Sequence, residues 1–125
     1  AACVFLARKG KSREGIKVFI QEIFGYDLER KLEDIRPSYS FDVTCQGSVP
    51  ESIIAFLESS CYEDAIRKAI SLGGDADTQA CIAGGIAEAF YGEVPFFIQK
   101  KVLGLLSDEF KQVLSGFERK FITRS

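Results

Sequence analysis

The sequence predicts an all-α protein, folded as a compact multi-helix orthogonal bundle. Apolar residues recur three and four positions apart along most of the chain, which is the period of one helix face. Glycine and proline separate these segments where helices would end or begin. No segment alternates in a way that demands a sheet. The 125 residues are enough for one domain with a hydrophobic core.

The first two helices have clear boundaries. Residues 1–8 are apolar and helix-prone, and Gly10 is placed to end that helix. Ser12 can cap the second helix, and Gly25 can end it. The apolar face of the second helix consists of Ile16, Phe19, Ile20 and Ile23.

A short third helix and an irregular segment follow. Leu28, Leu32 and Ile35 have helical spacing, and Pro37 closes the element because the residue before a proline disfavours helix. Residues 37–47 could form a short strand or a loop. Their aromatic and small polar side chains suit a pocket wall as well as a connector.

The fourth and fifth helices lie between this segment and a Gly-Gly turn. Ser48 and Glu51 read as a capping box, with Pro50 in the first turn. The apolar positions of the fourth helix are Ile53, Ile54, Phe56 and Leu57, and those of the fifth are Ala65, Ile66, Ala69 and Ile70.

The sixth helix, residues 78–91, is almost entirely small or apolar. Gly84 and Gly85 lie inside it, and each costs about 1 kcal/mol relative to alanine. Such a helix is expected to be central and closely approached by its neighbours. Gly92 ends it, Pro95 suits the first position of a seventh helix, and Asp108 starts an eighth. The last two helices have apolar residues at Phe96, Phe97, Val102, Leu103, Phe110, Val113, Leu114, Phe117 and Phe121.

Composition excludes several classes of protein. The 46% hydrophobic and 27% charged residues are ordinary for a globular protein. The net charge of −2 gives no direct nucleic-acid signal and no membrane-surface signal. Apolar runs are far shorter than the roughly 20 residues of a membrane span. The chain has no His, which removes the usual general base and the Ser-His and Cys-His nucleophiles.

The four cysteines show no zinc-binding spacing. Cys3, Cys45, Cys61 and Cys81 form no C-x-x-C pair. Cys3 and Cys81 stand among apolar helical residues, where a free thiol behaves as a small hydrophobe. We therefore expect reduced structural thiols and a cytoplasmic location.

One turn carries the residues best suited to chemistry. Residues 71–78 read Ser-Leu-Gly-Gly-Asp-Ala-Asp-Thr, so that Asp75, Asp77 and Thr78 follow a glycine pair at the mouth of a helix. Clusters of oxygen ligands suit hard cations such as Mg²⁺ or Ca²⁺. A glycine pair followed by aspartate is also a good helix cap. From the residues alone, capping and metal binding are about equally supported.

Three segments together resemble the ADP-ribosylglycohydrolase family, of the dinitrogenase-reductase-activating glycohydrolase type. They are residues 71–78, the I-A-G and A-F-Y-G sequences at 82–84 and 89–92, and residues 47–57. The resemblance implies an all-α domain with two Mg²⁺ ions (Mn²⁺ in some members), which hydrolyses the glycosidic bond between ADP-ribose and an acceptor. It is carried by residues 1 to about 95.

The resemblance also implies roles for individual residues. Asp75, Asp77 and Thr78 correspond to metal ligands of the family. Residues around Val43, Thr44 and Ser48 would line the cleft for an ADP-ribosylated substrate, although capping is the stronger interpretation for Ser48. No catalytic residue is assigned.

The chain departs from the family pattern in one large respect. Family members are far longer, and their N-terminal half carries a G-D-x-x-G-type motif and a T-D-D metal motif that this sequence lacks. We therefore expect residues 1–125 to be a single partial domain, the C-terminal half, with half of the metal site. The rest would come from the N-terminal half of the same protein or from another chain. The alternative is a non-catalytic structural or binding member of the same fold.

Overall fold

In a computed structural model that describes residues 1–122, the chain forms helices and no strand. The all-α prediction is confirmed. In the described part no helix is both long and apolar enough to span a bilayer. The helices are α1 Ala2–Arg8, α2 Arg13–Phe24, α3 Leu32–Ile35, α4 Cys45–Leu57, α5 Tyr62–Ser71, α6 Ala76–Tyr91, α7 Phe96–Leu105 and α8 Asp108–Phe117, followed by a π-helical segment Glu118–Ile122. The chain divides into two compact units, Ala1–Glu93 and Val94–Ser125. The prediction of a single partial domain stays a prediction.

Several helix ends lie where the sequence places them. Ser12 caps α2, and its hydroxyl accepts a hydrogen bond from the Gly15 N–H at 3.1 Å. Gly25 and Gly92 end α2 and α6 in the left-handed conformation, with φ of 69° and 94°. These signals are local, so the surrounding fold does not override them.

The predicted start of α4 is wrong. The helix begins at Cys45, and its N-cap is Thr44, whose hydroxyl accepts from the Gly47 N–H at 3.1 Å. Ser48 lies in the second turn and donates its hydroxyl to the Thr44 carbonyl at 2.7 Å. Pro50 is therefore inside the helix rather than at its start. Pro50 has no N–H to donate to the carbonyl of Gln46, which is an exposed residue.

The predicted third helix is also shorter than expected. Only Leu32–Ile35 is helical, and Leu28 precedes it in an irregular segment. Leu28 is nevertheless buried, at 3% exposure, because it packs into the same core as Leu32 and Ile35. The spacing of Leu28 from Leu32 therefore indicates that both residues are buried in one core, and does not indicate that Leu28 is helical. The segment 37–44 contains no strand.

Helix α6 lies at the centre of the first unit and packs against α1, α4 and α5. Phe56 of α4 is fully buried and meets Phe90 of α6 edge to face, with ring centroids 5.3 Å apart. The central position predicted for the sixth helix is confirmed. The buried apolar residues of the core are Cys3, Ala7, Ile16, Ile20, Leu28, Leu32, Ile35, Ile53, Ile54, Ala55, Phe56, Ala65, Ala69, Leu72, Ala83, Ile86 and Ala87.

Close approach to α6 occurs at only one of its two interior glycines. A Cβ atom on Gly84 would lie 2.8 Å from Ile66 Cδ1 of α5, whereas a Cβ atom on Gly85 would meet no heavy atom within 4 Å from the rest of the described chain, its own helix backbone aside. The predicted close approach therefore holds for Gly84 and is wrong for Gly85. Cys81 is exposed rather than packed among apolar residues, since it lies on the solvent side of α6. Cys3 is buried, and burial raises the pKa of its thiol.

In the second unit no residue of the described range 94–122 is buried. Helix α8 begins at Asp108 as predicted, and Ser107 is its N-cap. Pro95 is the N-cap of α7, one position before the predicted one. All the apolar positions predicted on these two helices are exposed.

Candidate metal-binding turn and its surroundings

The turn before α6 is built on two glycines with different tasks. Gly73 has a left-handed backbone, with φ of 77°, and there is open space where its side chain would be. Gly74 lies against the ring of Tyr39, and a Cβ atom there would collide with that ring. The turn thus needs one glycine for its backbone conformation and the other for close packing.

The two aspartates of the turn lie two positions apart at the N-terminal end of α6. Asp75 is the N-cap residue of α6, but its side chain makes no capping hydrogen bond. The pKa of the Asp77 carboxyl is lowered, first by the neighbouring Asp75 side chain and then by a hydrogen bond from the Thr78 backbone N–H. That N–H lies 2.9 Å from Asp77 Oδ1. Both carboxyls also lie at the N-terminus of the 16-residue helix, where the helix dipole favours negative charge.

The donor set suits part of a hard-cation shell. Asp77 and Thr78 are exposed and Asp75 is half-buried, so the three oxygen-bearing side chains are open to a ligand. Within residues 1–122 no group of three or more His, Cys, Asp or Glu side chains is arranged to hold a metal. Two carboxylates and a hydroxyl give three oxygens, and Mg²⁺ takes about six in an octahedron. Asp75, Asp77 and Thr78 therefore fit Mg²⁺ or Mn²⁺ as an incomplete set.

Tyr39 connects this turn to the start of α4. Its hydroxyl donates to the Gly47 carbonyl at 2.5 Å and accepts from Gln79 Nε2 at 2.7 Å. Gln79 is fully buried in the first turns of α6, and its Oε1 atom has no hydrogen-bond partner in the described part of the chain. The sequence gives only one faint signal of this contact, a glutamine inside an otherwise small and apolar helix.

The candidate substrate residues lie at the N-terminal end of α4. The Thr44 hydroxyl caps the helix and donates to Asp42 Oδ1 at 2.6 Å, so it is already engaged. Ser48 is buried and bonded to the Thr44 carbonyl. Val43 is 73% exposed. Of the three predicted residues, Val43 and Thr44 are exposed and Ser48 is buried, and the Thr44 hydroxyl is already bonded within the chain.

Asp42 stabilises this end of α4. The Thr44 hydroxyl lowers the pKa of the Asp42 carboxyl, and the Thr44 backbone N–H, 2.7 Å from Oδ1, lowers it further. A Cβ atom on Gly47 would collide with the Asp42 carboxylate. Glycine at position 47 therefore allows Asp42 to lie over the first turn of the helix.

Comparison with known proteins gives one match. The model of a protein family described as ADP-ribosylglycohydrolase matches residues 2–123. No curated protein and no solved structure matches the chain. The matched range includes the turn, the N-terminal end of α4 and most of both units. The chain belongs to the ADP-ribosylglycohydrolase family.

Proposed function

We propose that this chain contributes to the active site of a metal-dependent hydrolase of the dinitrogenase-reductase-activating glycohydrolase type. The reaction is cleavage of the glycosidic bond between ADP-ribose and an acceptor, which reverses ADP-ribosylation. Family membership supports the glycohydrolase class. The observation that carries the metal-dependent part is the placement of Asp75, Asp77 and Thr78 in one open turn at the N-terminus of α6.

Asp75, Asp77 and Thr78 are the proposed ligands, with two Mg²⁺ ions, or Mn²⁺, in the complete site. A bound ion of this kind polarises oxygen atoms and orients a water or a substrate hydroxyl. The Thr78 N–H donates to Asp77 Oδ1, and the exposed Asp77 carboxylate would turn its other oxygen toward the ion. In the complete site, the ions held by these carboxylates would hold ribose hydroxyls and a water near the anomeric carbon, which becomes oxocarbenium-like during cleavage.

We further propose that this chain holds half of the site. Three oxygen donors account for about half of an octahedral shell. The remaining ligands would come from an N-terminal half in the same protein or from another chain. Neither an acid nor a base for the reaction is assigned here.

Val43, Thr44 and Ser48 are proposed to form one wall of the substrate cleft. Val43 offers an exposed apolar contact, whereas the bonded hydroxyls of Thr44 and Ser48 maintain the shape of the α4 terminus. The four thiols are all free, which supports the proposed cytoplasmic location.

The test compares two aspartates in the full-length protein that carries this chain. Asp77→Ala should reduce release of ADP-ribose from an ADP-ribosylated peptide by at least about 100-fold and weaken Mn²⁺ binding measured by calorimetry. Asp108→Ala is the matched control, because Asp108 also lies in the first turn of a helix but in the second unit. Retained hydrolysis in Asp77→Ala would reject the ligand assignment. If the unmodified protein binds ADP-ribose but hydrolyses nothing, it is the non-catalytic alternative.

A further inference from the structure

Tyr39 lies between the two segments to which the proposed function assigns metal and substrate. One segment is the turn 73–78 and the other is the N-terminal end of α4. The Tyr39 hydroxyl bonds to Gly47 of α4 and to Gln79 of α6, at 2.5 Å and 2.7 Å. These partners are 8 and 40 residues away from Tyr39 in sequence.

The ring of Tyr39 and its hydroxyl contact two different residues next to the proposed ligands. The ring covers Gly74, directly before the proposed ligand Asp75, and leaves no space for a side chain. The hydroxyl holds the amide of Gln79, directly after the proposed ligand Thr78. The three proposed ligands are thus flanked on both sides by residues that Tyr39 contacts.

The buried amide of Gln79 depends on its hydrogen bond with the Tyr39 hydroxyl. Its side chain is fully buried and its Oε1 atom is unpaired within residues 1–122, so the bond to Tyr39 is the one that its amide makes there. Without the Tyr39 hydroxyl, the amide and the Gly47 carbonyl would both lose a partner. A buried polar group without a partner is unfavourable, so Gln79 would turn toward water and disturb the first turns of α6.

We infer that Tyr39 is a positioning residue that fixes the ligand-bearing turn against the N-terminal end of α4. This inference rests on the proposed function. It assigns to Tyr39 no contact with substrate or metal. Its effect passes through Gly74 and Gln79 to the geometry of Asp75, Asp77 and Thr78. Supporting residues of this kind typically change metal affinity by about 10–100-fold.

The experiment compares two Tyr→Phe substitutions in the full-length protein. Tyr39→Phe keeps the ring on Gly74 and removes both hydrogen bonds. Tyr91→Phe is the matched control, because the Tyr91 hydroxyl donates to the Ser59 carbonyl at 2.8 Å and accepts from Arg13 at 2.5 Å. Tyr91 is the last residue of α6, about 20 Å along the helix from the turn. Both variants lose part-buried hydrogen bonds that involve α6, but only Tyr39→Phe loses them near the proposed ligands.

Mn²⁺ affinity, measured by calorimetry, is the deciding readout. We expect Tyr39→Phe to bind Mn²⁺ about 10–100-fold more weakly, and Tyr91→Phe to bind it as the unmodified protein does. Urea denaturation of both variants reports their losses of stability. Unchanged affinity in Tyr39→Phe, or an equal loss in both variants, would overturn the inference.

Two further variants separate this inference from the proposed function. Gly74→Ala keeps the Tyr39 hydroxyl but displaces its ring, so it should also weaken Mn²⁺ binding, and an unaffected Gly74→Ala would contradict the role of the ring. Asp77→Ala tests the metal site itself. If Asp77→Ala binds Mn²⁺ normally, the proposed function fails. If Asp77→Ala loses Mn²⁺ binding while Tyr39→Phe and Gly74→Ala bind Mn²⁺ normally, only the role of Tyr39 is rejected.

Discussion

The contact between α5 and Gly84 leads to a quantitative prediction about α6. Gly84→Ala and Gly85→Ala make the same change at adjacent residues of one helix. A Cβ atom on Gly85 meets open space, whereas one on Gly84 would lie 2.8 Å from Ile66 Cδ1 and 3.3 Å from the Tyr62 hydroxyl oxygen. The two variants share the gain in helix propensity and differ in packing.

The expected free energies of unfolding follow from these contacts. Replacing an interior helix glycine by alanine stabilises by about 1 kcal/mol, and Gly85→Ala should show this gain. Forcing an extra methyl group into a packed contact destabilises by about 1–3 kcal/mol. Gly84→Ala should therefore range from neutral to about 2 kcal/mol destabilising, since the gain in propensity offsets part of the packing penalty.

Ile66→Val provides an internal check because valine lacks the Cδ1 atom. The closest contact of the new Cβ disappears in Gly84→Ala/Ile66→Val, so the double variant should be more stable than the sum of the single changes predicts. We expect an interaction energy of about 1 kcal/mol in the double-mutant cycle. Urea denaturation followed by circular dichroism at 222 nm gives the free energy of unfolding of the unmodified protein, the two single variants and the double variant. The comparison requires a constant m-value.

Two results would refute this reasoning. One is equal stabilisation by Gly84→Ala and Gly85→Ala, which would mean that the Ile66 side chain imposes no packing penalty on a methyl group at position 84. The other is strict additivity of the free energies of unfolding in the cycle with Ile66→Val. It would mean that the packing penalty of Gly84→Ala does not arise from contact with Ile66 Cδ1.

Three other predictions concern polar contacts of the first unit. Thr44→Ala should destabilise by about 1 kcal/mol, because it removes the cap of α4, and Thr44→Ser should restore most of this in urea denaturation. Arg30→Met should destabilise by about 1–3 kcal/mol, since it leaves the buried Glu51 carboxylate without its partner at 2.9 Å; partial exposure of Arg30 reduces the effect. The pKa of Asp64 is lowered by Lys68 and then by the Ser60 N–H, so its stabilising effect is present above its ordinary pKa of 3.8 and lost as pH falls through the lower folded value. Asp64→Asn should therefore lower the urea midpoint at pH 7 and flatten its decrease below about pH 4.

Local signals in the sequence were enough to locate several helix ends, whereas α6 begins at Ala76, two residues before the predicted start. Ser12, Gly25 and Gly92 act on their own backbone neighbours, and their roles needed no knowledge of the fold. The start of α4 was misjudged because Ser48 and Glu51 match a capping box as well as Thr44 matches a cap. The bond between Thr44 and Asp42 favours the earlier start.

The sides of α6 were harder to predict, because almost every residue in it is small or apolar. Polar residues do not recur along one side of α6, so the sequence could not show that Cys81 is exposed and Ala83 is buried. The D-x-D-T turn is visible in the sequence because its residues are contiguous. The bond between Tyr39 and Gln79 joins residues 40 apart, and no pattern in a single sequence reports such a contact.

The two glycines of the turn are subject to different evolutionary constraints. At Gly73 the backbone is left-handed and the space is open, so asparagine, which tolerates that conformation, is an available replacement. At Gly74 any side chain meets the Tyr39 ring, so a replacement there displaces that ring unless position 39 also changes. Position 73 can therefore change by a single substitution during evolution. At position 74, a change that keeps the turn intact needs a second substitution at position 39, in a distant part of the chain.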